Sequence, residues 1–162
     1  NEVPESLRKL GRATIKAFGA ERRFVHLEFF RLTKARKGLG EVGDFVGLEV
    51  NMRPAGGFTP DMINYANSTD VYKDWADMIT FDRLSSKGSA EKFYCVSVGL
   101  RDSRHYVHTQ EEILQKYADK IVLRQRLPEV LAHGMGDNLY LAKFSDKKEM
   151  DEFIRFLIQE VA

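Results

Sequence analysis

The chain has few of the residues that mark an extracellular, membrane-embedded or nucleic-acid-binding protein. Cys95 is the only cysteine among 162 residues, so no internal disulfide can form, which fits a reducing cytoplasm. No apolar run approaches the roughly 20 residues that span a bilayer, and residues 1–20 mix charges throughout, unlike a signal peptide. The formal net charge is only +1, which gives no electrostatic argument for nucleic acid or a membrane surface. We therefore expect a cytoplasmic protein that binds neither.

What is present suits an ordinary globular protein with alternating helices and strands. The composition is 43% hydrophobic, with eleven Phe and six Tyr, so there is material for a core. Apolar periodicity predicts five helices and five strands. The helices are predicted at residues 4–19, from Thr59, across residues 71–79, at 110–118 and at 146–161. The strands are predicted at residues 23–32, 45–53, 92–101, 120–127 and 138–144. The polar residues 82–91 read as a loop between two parts, residues 1–81 and 92–162.

The first predicted strand pair presents the most informative side chains. Alternate residues of a strand share a face, and the even-numbered residues 46–52 are all apolar. We expect that apolar side to pack on the core. The opposite side then presents Glu49, Asn51 and Arg53, which are a carboxylate, an amide and a guanidinium in a row.

The spacing of the strand pair predicts that two acids face each other. A hairpin centred on residues 38–40 places Glu28 directly opposite Glu49, with Cβ atoms ~5 Å apart, where like charges destabilise a sheet. A hard divalent cation would offset the repulsion, since Mg²⁺ takes oxygen ligands, and Asn51 adds a neutral oxygen on the same face. Alternation alone, however, more often marks the solvated face of an ordinary amphipathic hairpin, where the nearby Arg31 relieves the acids.

The residue sequence of the two strands and of the loop after the second favours the metal site. Residues 49–57, EVNMRPAGG, resemble the metal-site strand and following loop of the ATP-grasp superfamily. Residues 24–30, FVHLEFF, resemble the preceding family strand, which ends in a metal-binding acid before an aromatic residue. Biotin carboxylases, D-alanine–D-alanine ligases and carbamoyl phosphate synthases share this arrangement. The resemblance covers about residues 4–80 and implies an α+β fold. The expected parts are the antiparallel sheet of a C-terminal ATP-grasp subdomain with packed helices, and a small appended α+β module.

The resemblance implies a role for each residue of the motif. Glu28 resembles the first metal ligand of the family, and Glu49 resembles the second, which bridges two Mg²⁺ ions. Asn51 resembles the third protein ligand. Arg53 resembles the catalytic arginine that contacts the transferred phosphate or the substrate carboxylate.

The glycine pair and the chemistry follow from the same resemblance. Gly56 and Gly57 match a loop whose backbone N–H groups approach substrate oxygens, although a plain turn is the alternative. The implied cofactors are ATP and two Mg²⁺ ions, for which Mn²⁺ can substitute. The implied partners are a small carboxylate, which ATP converts to an acyl phosphate, and an amine or other nucleophile that attacks it. The upstream lysines, glycine-rich phosphate loop and adenine pocket of the family have no counterpart here. We therefore expect the C-terminal portion of a longer enzyme, nearly inactive alone.

Residues 92–162 are less informative. We expect the appended module to cover the active site or to form a homodimer interface. His105 and His108 read as surface histidines, Cys95 as a buried small hydrophobe, and residues 133–138 as a glycine-rich hairpin loop. Two other functions stay open, namely a non-catalytic α+β binding or regulatory module and an inactive ATP-grasp relative used for assembly. Retention of both acids with Asn51 and Arg53 argues against the latter.

Overall fold

A computed structural model describes residues 3–84, 86 and 91–161, and these form an α+β fold of six helices and five strands. The helices are α1 (Glu5–Ala17), α2 (Thr59–Asn67), α3 (Val71–Phe81), α4 (Gln110–Tyr117), α5 (Glu129–Met135) and α6 (Lys147–Ile158). The strands are β1 (His26–Arg31), β2 (Phe45–Asn51), β3 (Tyr94–Leu100), β4 (Ile121–Arg126) and β5 (Asn138–Phe144). The predicted α+β class is confirmed. Most of the loop predicted at residues 82–91 lies outside the described residues, which omit 85 and 87–90.

The strands form two separate antiparallel sheets. One has two strands, β1 and β2, and the other has three in the order β3-β5-β4. The contacts divide the chain into two units, and the division falls within α2. The first unit is Asn1–Pro60 with Val71–Ser86, and the second is Asp61–Asp70 with Lys87–Ala162. The domain assignment from sequence, residues 1–81 and 92–162, stays a prediction.

The first unit consists of α1, the β1–β2 hairpin and α3, and it has little core of its own. None of the large apolar side chains that the structure describes in this unit is buried. Phe24 stacks on Trp75 with ring centroids 5.7 Å apart, yet Trp75 itself is 38% exposed. α1 is strongly amphipathic but contains no buried residue. The apolar faces of this unit are therefore only partly covered.

The second unit contains the hydrophobic core. α6 packs against β3 and β5, and α4 packs against α6, so the sheet and two helices enclose one apolar cluster. Tyr117 meets Phe153 edge to face at 5.0 Å, and Phe153 also contacts Phe144 at 5.3 Å. Burying each such side chain stabilises the fold by about 1.5–3 kcal/mol. The residues of this cluster come from β3, β5, α4 and α6, so the cluster holds those elements together.

Two helices of the second unit have well-defined amino-terminal caps. The capping box predicted at α4 is confirmed, because Oγ1 of Thr109 accepts from N of Glu112 and the Glu112 carboxylate accepts from N of Thr109. Asp146 caps α6 by accepting from the backbone of Lys148 and Glu149. No helix in the described part of the chain is long and apolar enough to cross a membrane.

The connection from β4 to β5 departs from the sequence prediction. Residues 133–138 were expected to form a hairpin loop, but helix α5 extends to Met135. The helix begins after Pro128, whose fixed φ suits a helix start, and it buries Ala132. Gly136 then ends the helix at φ +87°. The prediction was wrong because two glycines near the helix end outweighed a short helical pattern.

Backbone from β3 and from the end of α5 meet without any intervening side chain. A Cβ added to Gly99 would lie 1.7 Å from the carbonyl oxygen of Met135, and one added to Gly136 would lie 2.7 Å from the carbonyl carbon of Gly99. Only glycine fits at such a distance, since any Cβ would overlap the opposing backbone. The two glycines thus permit α5 to end directly against β3.

Candidate functional site

The β1–β2 hairpin brings the two predicted acids together. In the observed register Glu28 pairs with Glu49 and His26 pairs with Asn51, so these four residues share one face of the hairpin. Directly opposed residues have Cβ atoms ~5 Å apart. The predicted opposition of the two carboxylates is confirmed, and the neighbouring pair adds an imidazole and an amide.

A β-bulge follows immediately and overturns part of the predicted pattern. The register shifts between Glu28 and Phe29, so that Phe29 pairs with Gly47 and Leu48 has no partner on β1. Leu48 was expected on the core-facing side but is 53% exposed. The extra residue breaks the alternation of β2, and Val46 lies opposite Phe30 beyond it. The acid pair therefore lies directly beside the bulge, and the strands continue to pair beyond it.

Each of the opposed carboxylates has a nitrogen partner within the hairpin. Nδ2 of Asn51 donates to Oε1 of Glu49 at 2.7 Å. Nε2 of His26 lies 3.3 Å from Oε1 of Glu28. Nδ2 of Asn51 also lies 3.4 Å from Nδ1 of His26, so the imidazole lies between the amide and Glu28. The repulsion between the acids is thus partly relieved by protein groups alone.

His26 is the member of this cluster that the sequence reasoning did not select. Its parity with Glu28 placed it on the same face, but an imidazole was not expected to link Glu28 with Asn51. The signal that would have found it is the register, because His26 lies directly opposite Asn51 once Glu28 lies opposite Glu49. His26 is therefore part of the candidate site.

The donor set has the chemistry that a hard divalent cation requires. Glu28 and Glu49 supply carboxylate oxygens, and Oδ1 of Asn51 makes no hydrogen bond with any residue that the structure describes. Mg²⁺ and Mn²⁺ take such oxygen ligands, whereas Zn²⁺ favours Cys and His. Among residues 3–84, 86 and 91–161, no group of three or more His, Cys, Asp and Glu converges as a metal cluster. A cation here would therefore depend on the two acids, Asn51 and oxygens from a substrate.

Arg53 and the glycine pair lie just beyond the end of β2. Nη1 of Arg53 donates to the carbonyl oxygen of Pro54 at 2.9 Å, so the exposed guanidinium folds back on its own loop. Gly57 has φ +59°, a left-handed conformation that favours glycine, and both glycines are exposed. The turn they form closes when N of Thr59 donates to the carbonyl oxygen of Gly56. The left-handed conformation of this turn is enough to explain a glycine at position 57.

Three residues of the second unit were considered from the sequence, namely His105, His108 and Cys95. His105 is exposed as expected, but His108 is half-buried and stacks on Phe156 with ring centroids 3.5 Å apart. The expectation of a surface residue was therefore wrong for His108. Cys95 is half-buried in β3, and burial raises the pKa of its thiol to about 11, which disfavours the nucleophilic thiolate.

No family model and no curated protein sequence matches the chain. The two small antiparallel sheets and six helices of the described residues define an α+β fold. A solved structure with a similar fold is the crystal structure of phosphoribosylglycinamide synthetase from Anaerococcus prevotii. It matches with a TM-score of 0.58 over 99% of this chain, at 13% sequence identity. At that identity the likeness concerns the fold alone, and the chain spans 44% of the length of that protein's chain.

Proposed function

We propose that this chain is the C-terminal portion of an ATP-dependent ligase of the ATP-grasp type. In this proposal the intact enzyme phosphorylates a small carboxylate with ATP and passes the acyl group to an amine or another nucleophile. The observation that supports it best is the opposition of Glu28 and Glu49 on one face of β1–β2, with Asn51 beside them. The fold match to an ATP-grasp enzyme supports it independently of those residues.

The three oxygen-bearing residues are the proposed holders of Mg²⁺. Glu28, Glu49 and Asn51 would hold the ions through their side-chain oxygens. When bound, the ions supply positive charge that neutralises the developing charge on the transferred phosphoryl group. The contribution of the chain itself is positioning, because β1 and β2 fix the two carboxylates opposite each other before any ligand arrives. His26 would orient Glu28 through its contact at 3.3 Å.

Arg53 is the proposed contact for the phosphate or the substrate carboxylate. Its guanidinium has a planar fork that matches either group. The hydrogen bond to Pro54 is exposed, and such a bond contributes only about 0.5–1.5 kcal/mol, so a charged ligand can compete for Nη1. Gly56 and Gly57 then place exposed backbone beside that guanidinium. Their proposed role is to donate N–H groups to substrate oxygens.

The uncovered apolar side chains of the first unit support its being part of a larger domain. Ile79 and Phe81 of α3 are 66% and 58% exposed, and Phe18 after α1 is 61% exposed. An apolar surface of this kind is usually covered by another element. We propose that the nucleotide-binding half of the enzyme covers it.

Calorimetric titration of the 162-residue chain with ATP and Mg²⁺ should then show only weak binding, and tight binding would contradict this placement of the nucleotide site. The cytoplasmic location and a dimer interface on the second unit stay predictions.

A non-catalytic binding or regulatory module is the competing function. One observation favours it, because His26 and Asn51 already provide nitrogen partners for Glu28 and Glu49. In that case the acid pair needs no cation, and the hairpin is a polar surface that is stable as it stands. The two functions differ in what neutralising one carboxylate should do.

The discriminating experiment is Glu49→Gln in the complete product of the gene. An amide replaces a bridging carboxylate poorly, so the ligase proposal predicts a fall in kcat of on the order of a hundredfold or more, or ~3 kcal/mol. The thermal midpoint should not fall, since the change relieves an exposed pair of like charges. Glu41→Gln is the matched control, because Glu41 is an exposed acid in the loop of the same hairpin, away from the pair. Turnover by Glu49→Gln equal to that of wild type would reject the metal site and leave the binding module as the better proposal.

A further inference from the structure

The end of β1 and the loop that follows it carry a cluster of positive charge that the proposed ligase chemistry does not use. Four exposed cations lie within residues 31–37, and they are Arg31, Lys34, Arg36 and Lys37. None of the four forms an ion pair with any residue that the structure describes. Like charges held this close together repel one another, and a bound anion would offset that repulsion.

Part of this segment forms an open groove, which we call the basic groove. Its volume is about 420 Å³, within the roughly 300–1,000 Å³ that is usual for small-molecule sites. Its lining contains three cations and no acid, and consists of Phe30, Arg31, Leu32, Thr33, Lys34 and Arg36. The acids of the same loop, Glu41 and Asp44, lie outside this lining, and Oδ2 of Asp44 accepts from N of Glu41 at 2.8 Å. The charged groups that line the groove are therefore all positive.

Hydrogen bonds fix the backbone on both sides of residues 33–35. Before them, N of Leu32 donates to the carbonyl oxygen of Asp44 at 2.8 Å. After them, N of Arg36 donates to the carbonyl oxygen of Gly40 at 2.9 Å, and N of Gly40 donates back at 3.1 Å. The N–H groups of residues 33–35 donate to no residue in the described part of the chain, and these residues are exposed. Successive free N–H groups are common in anion sites, so the basic groove has backbone donors beside its cations.

These groups suit two linked phosphates better than a single small anion. The guanidinium of arginine has a planar fork that matches phosphate oxygens, and lysine adds a point charge. A phosphate group carries about −1.5 to −2 charge near neutral pH, so one phosphate leaves part of three cations unmatched and a diphosphate matches them. Phe30, at one end of the lining, is 58% exposed and offers an aromatic face on which a base can stack.

We propose that the basic groove binds a diphosphate group, with Arg31, Lys34 and Arg36 as its cationic contacts. Inorganic pyrophosphate and a nucleoside diphosphate both present this group. The groove is separate from the proposed metal site, because Arg31 lies three residues beyond Glu28, or about 10 Å along β1. The proposal therefore does not depend on the ligase activity. The affinity is expected to be modest and to fall with added NaCl, since the cations are exposed.

The test is calorimetric titration of the 162-residue chain with sodium pyrophosphate, without divalent cations and at constant ionic strength. We expect saturable binding that becomes at least about tenfold weaker when Lys34→Gln and Arg36→Gln are combined. Arg12→Gln combined with Lys16→Gln is the matched control, because it removes the same charge from exposed positions outside the groove. That control should keep its affinity within about twofold of wild type. Both double variants should keep the thermal midpoint of wild type, since all four side chains are exposed.

A second titration, with ADP, distinguishes the two sources of the diphosphate. If the group belongs to a nucleotide, ADP should bind more tightly than pyrophosphate, and Phe30→Ala should weaken ADP binding alone. If the group is free pyrophosphate, Phe30→Ala should leave both affinities unchanged.

Three outcomes would overturn the proposal. The first is the absence of saturable pyrophosphate binding, including the case in which the chain binds only anionic vesicles or single-stranded nucleic acid. The second is equal affinity for sulfate, which would mean that the cations hold a general ion atmosphere and no diphosphate site. The third is an equal loss of affinity in the two double variants, which would mean that total charge and not the groove determines binding. Arg31→Gln gives an independent check, and unchanged pyrophosphate affinity in that variant would also reject the site.

Discussion

Asn51 and Glu49 share a hydrogen bond on one face of β2, with Nδ2 of the amide 2.7 Å from Oε1 of the carboxylate. The same nitrogen lies 3.4 Å from the ring of His26, so one amide links the second acid to the residue beside the first. The oxygen of Asn51 stays available on this face. The amide can therefore relieve the carboxylate through nitrogen and take part in metal coordination through oxygen.

Asn51→Asp separates the hydrogen bond of the amide from its proposed role in metal coordination. Without Mg²⁺ the variant places a third carboxylate beside Glu28 and Glu49, and we expect it to lose ~0.2–1 kcal/mol of stability at low salt. With Mg²⁺ the added charge should strengthen coordination and raise the thermal midpoint above that of wild type in the same buffer. The measurement is thermal unfolding with MgCl₂ and with NaCl at equal ionic strength. Equal effects of the two salts on the variant would argue against a metal site.

Gly99→Ala tests the backbone approach of β3 and α5. The new Cβ would overlap the carbonyl of Met135, and we expect a loss of about 3 kcal/mol or more because backbone on both sides has to move. Gly134→Ala is the matched control, since its Cβ meets nothing within 4 Å and the position is helical. That variant should gain about 0.5–1 kcal/mol. Urea unfolding measures both, and similar stabilities of the two variants would contradict the observed approach.

Glu112→Gln should alter how stability depends on pH. Hydrogen bonds from the Thr109 backbone and hydroxyl lower the pKa of Glu112, so its charged form stabilises the fold. The contribution is present above the unfolded pKa of about 4.3 and is lost as pH falls through the lower folded value. Wild type should therefore exceed Glu112→Gln in stability at neutral pH, and the difference should shrink toward acid. Glu111→Gln, in the same helical turn, should change stability little, and a pH-independent deficit in Glu112→Gln would count against the capping role.

Cys95 should resist alkylation in the folded protein. With its pKa raised to about 11 by burial, the thiolate fraction near pH 8 is on the order of a hundredfold lower than in the unfolded chain. Iodoacetamide labelling should accelerate by at least that factor in denaturing urea. The rate in native buffer should still be rising with pH above pH 9. Fast labelling at pH 8 in native buffer would show that the thiol is more accessible and more acidic than its position in β3 implies.

The sequence predicted the hairpin register because the register depends on only two quantities. One is the centre of the turn, since a symmetric turn at residues 38–40 places Glu28 opposite Glu49. The other is the alternation of β2, which determines which of its side chains share a face. The bulge at Leu48 could not be foreseen, since one extra residue leaves the overall spacing plausible and changes only the local pairing. The pairing of His26 with Asn51 was predictable in principle, but it becomes visible only when the register is written out.

The second unit was predicted in outline and missed in detail. Strong periodicity located α4 and α6, whereas α5 is a short helix whose terminal glycines resemble a turn. The contact of Tyr117 with Phe153 could not be predicted from local pattern, because these residues meet only after two helices have packed together. Local rules identify elements, while a site made from distant elements depends on tertiary packing.

The close approach of Gly99 and Gly136 has a consequence for recognising relatives of the second unit. Residues that hold a ligand can change when the ligand changes, but a place where two backbones touch admits no side chain whatever the unit binds. We expect a pair of glycines, one near the end of the first strand of the sheet and one just after the helix that precedes its central strand, to persist in divergent copies. Such a pair would be a more durable signature of this unit than any of its charged residues.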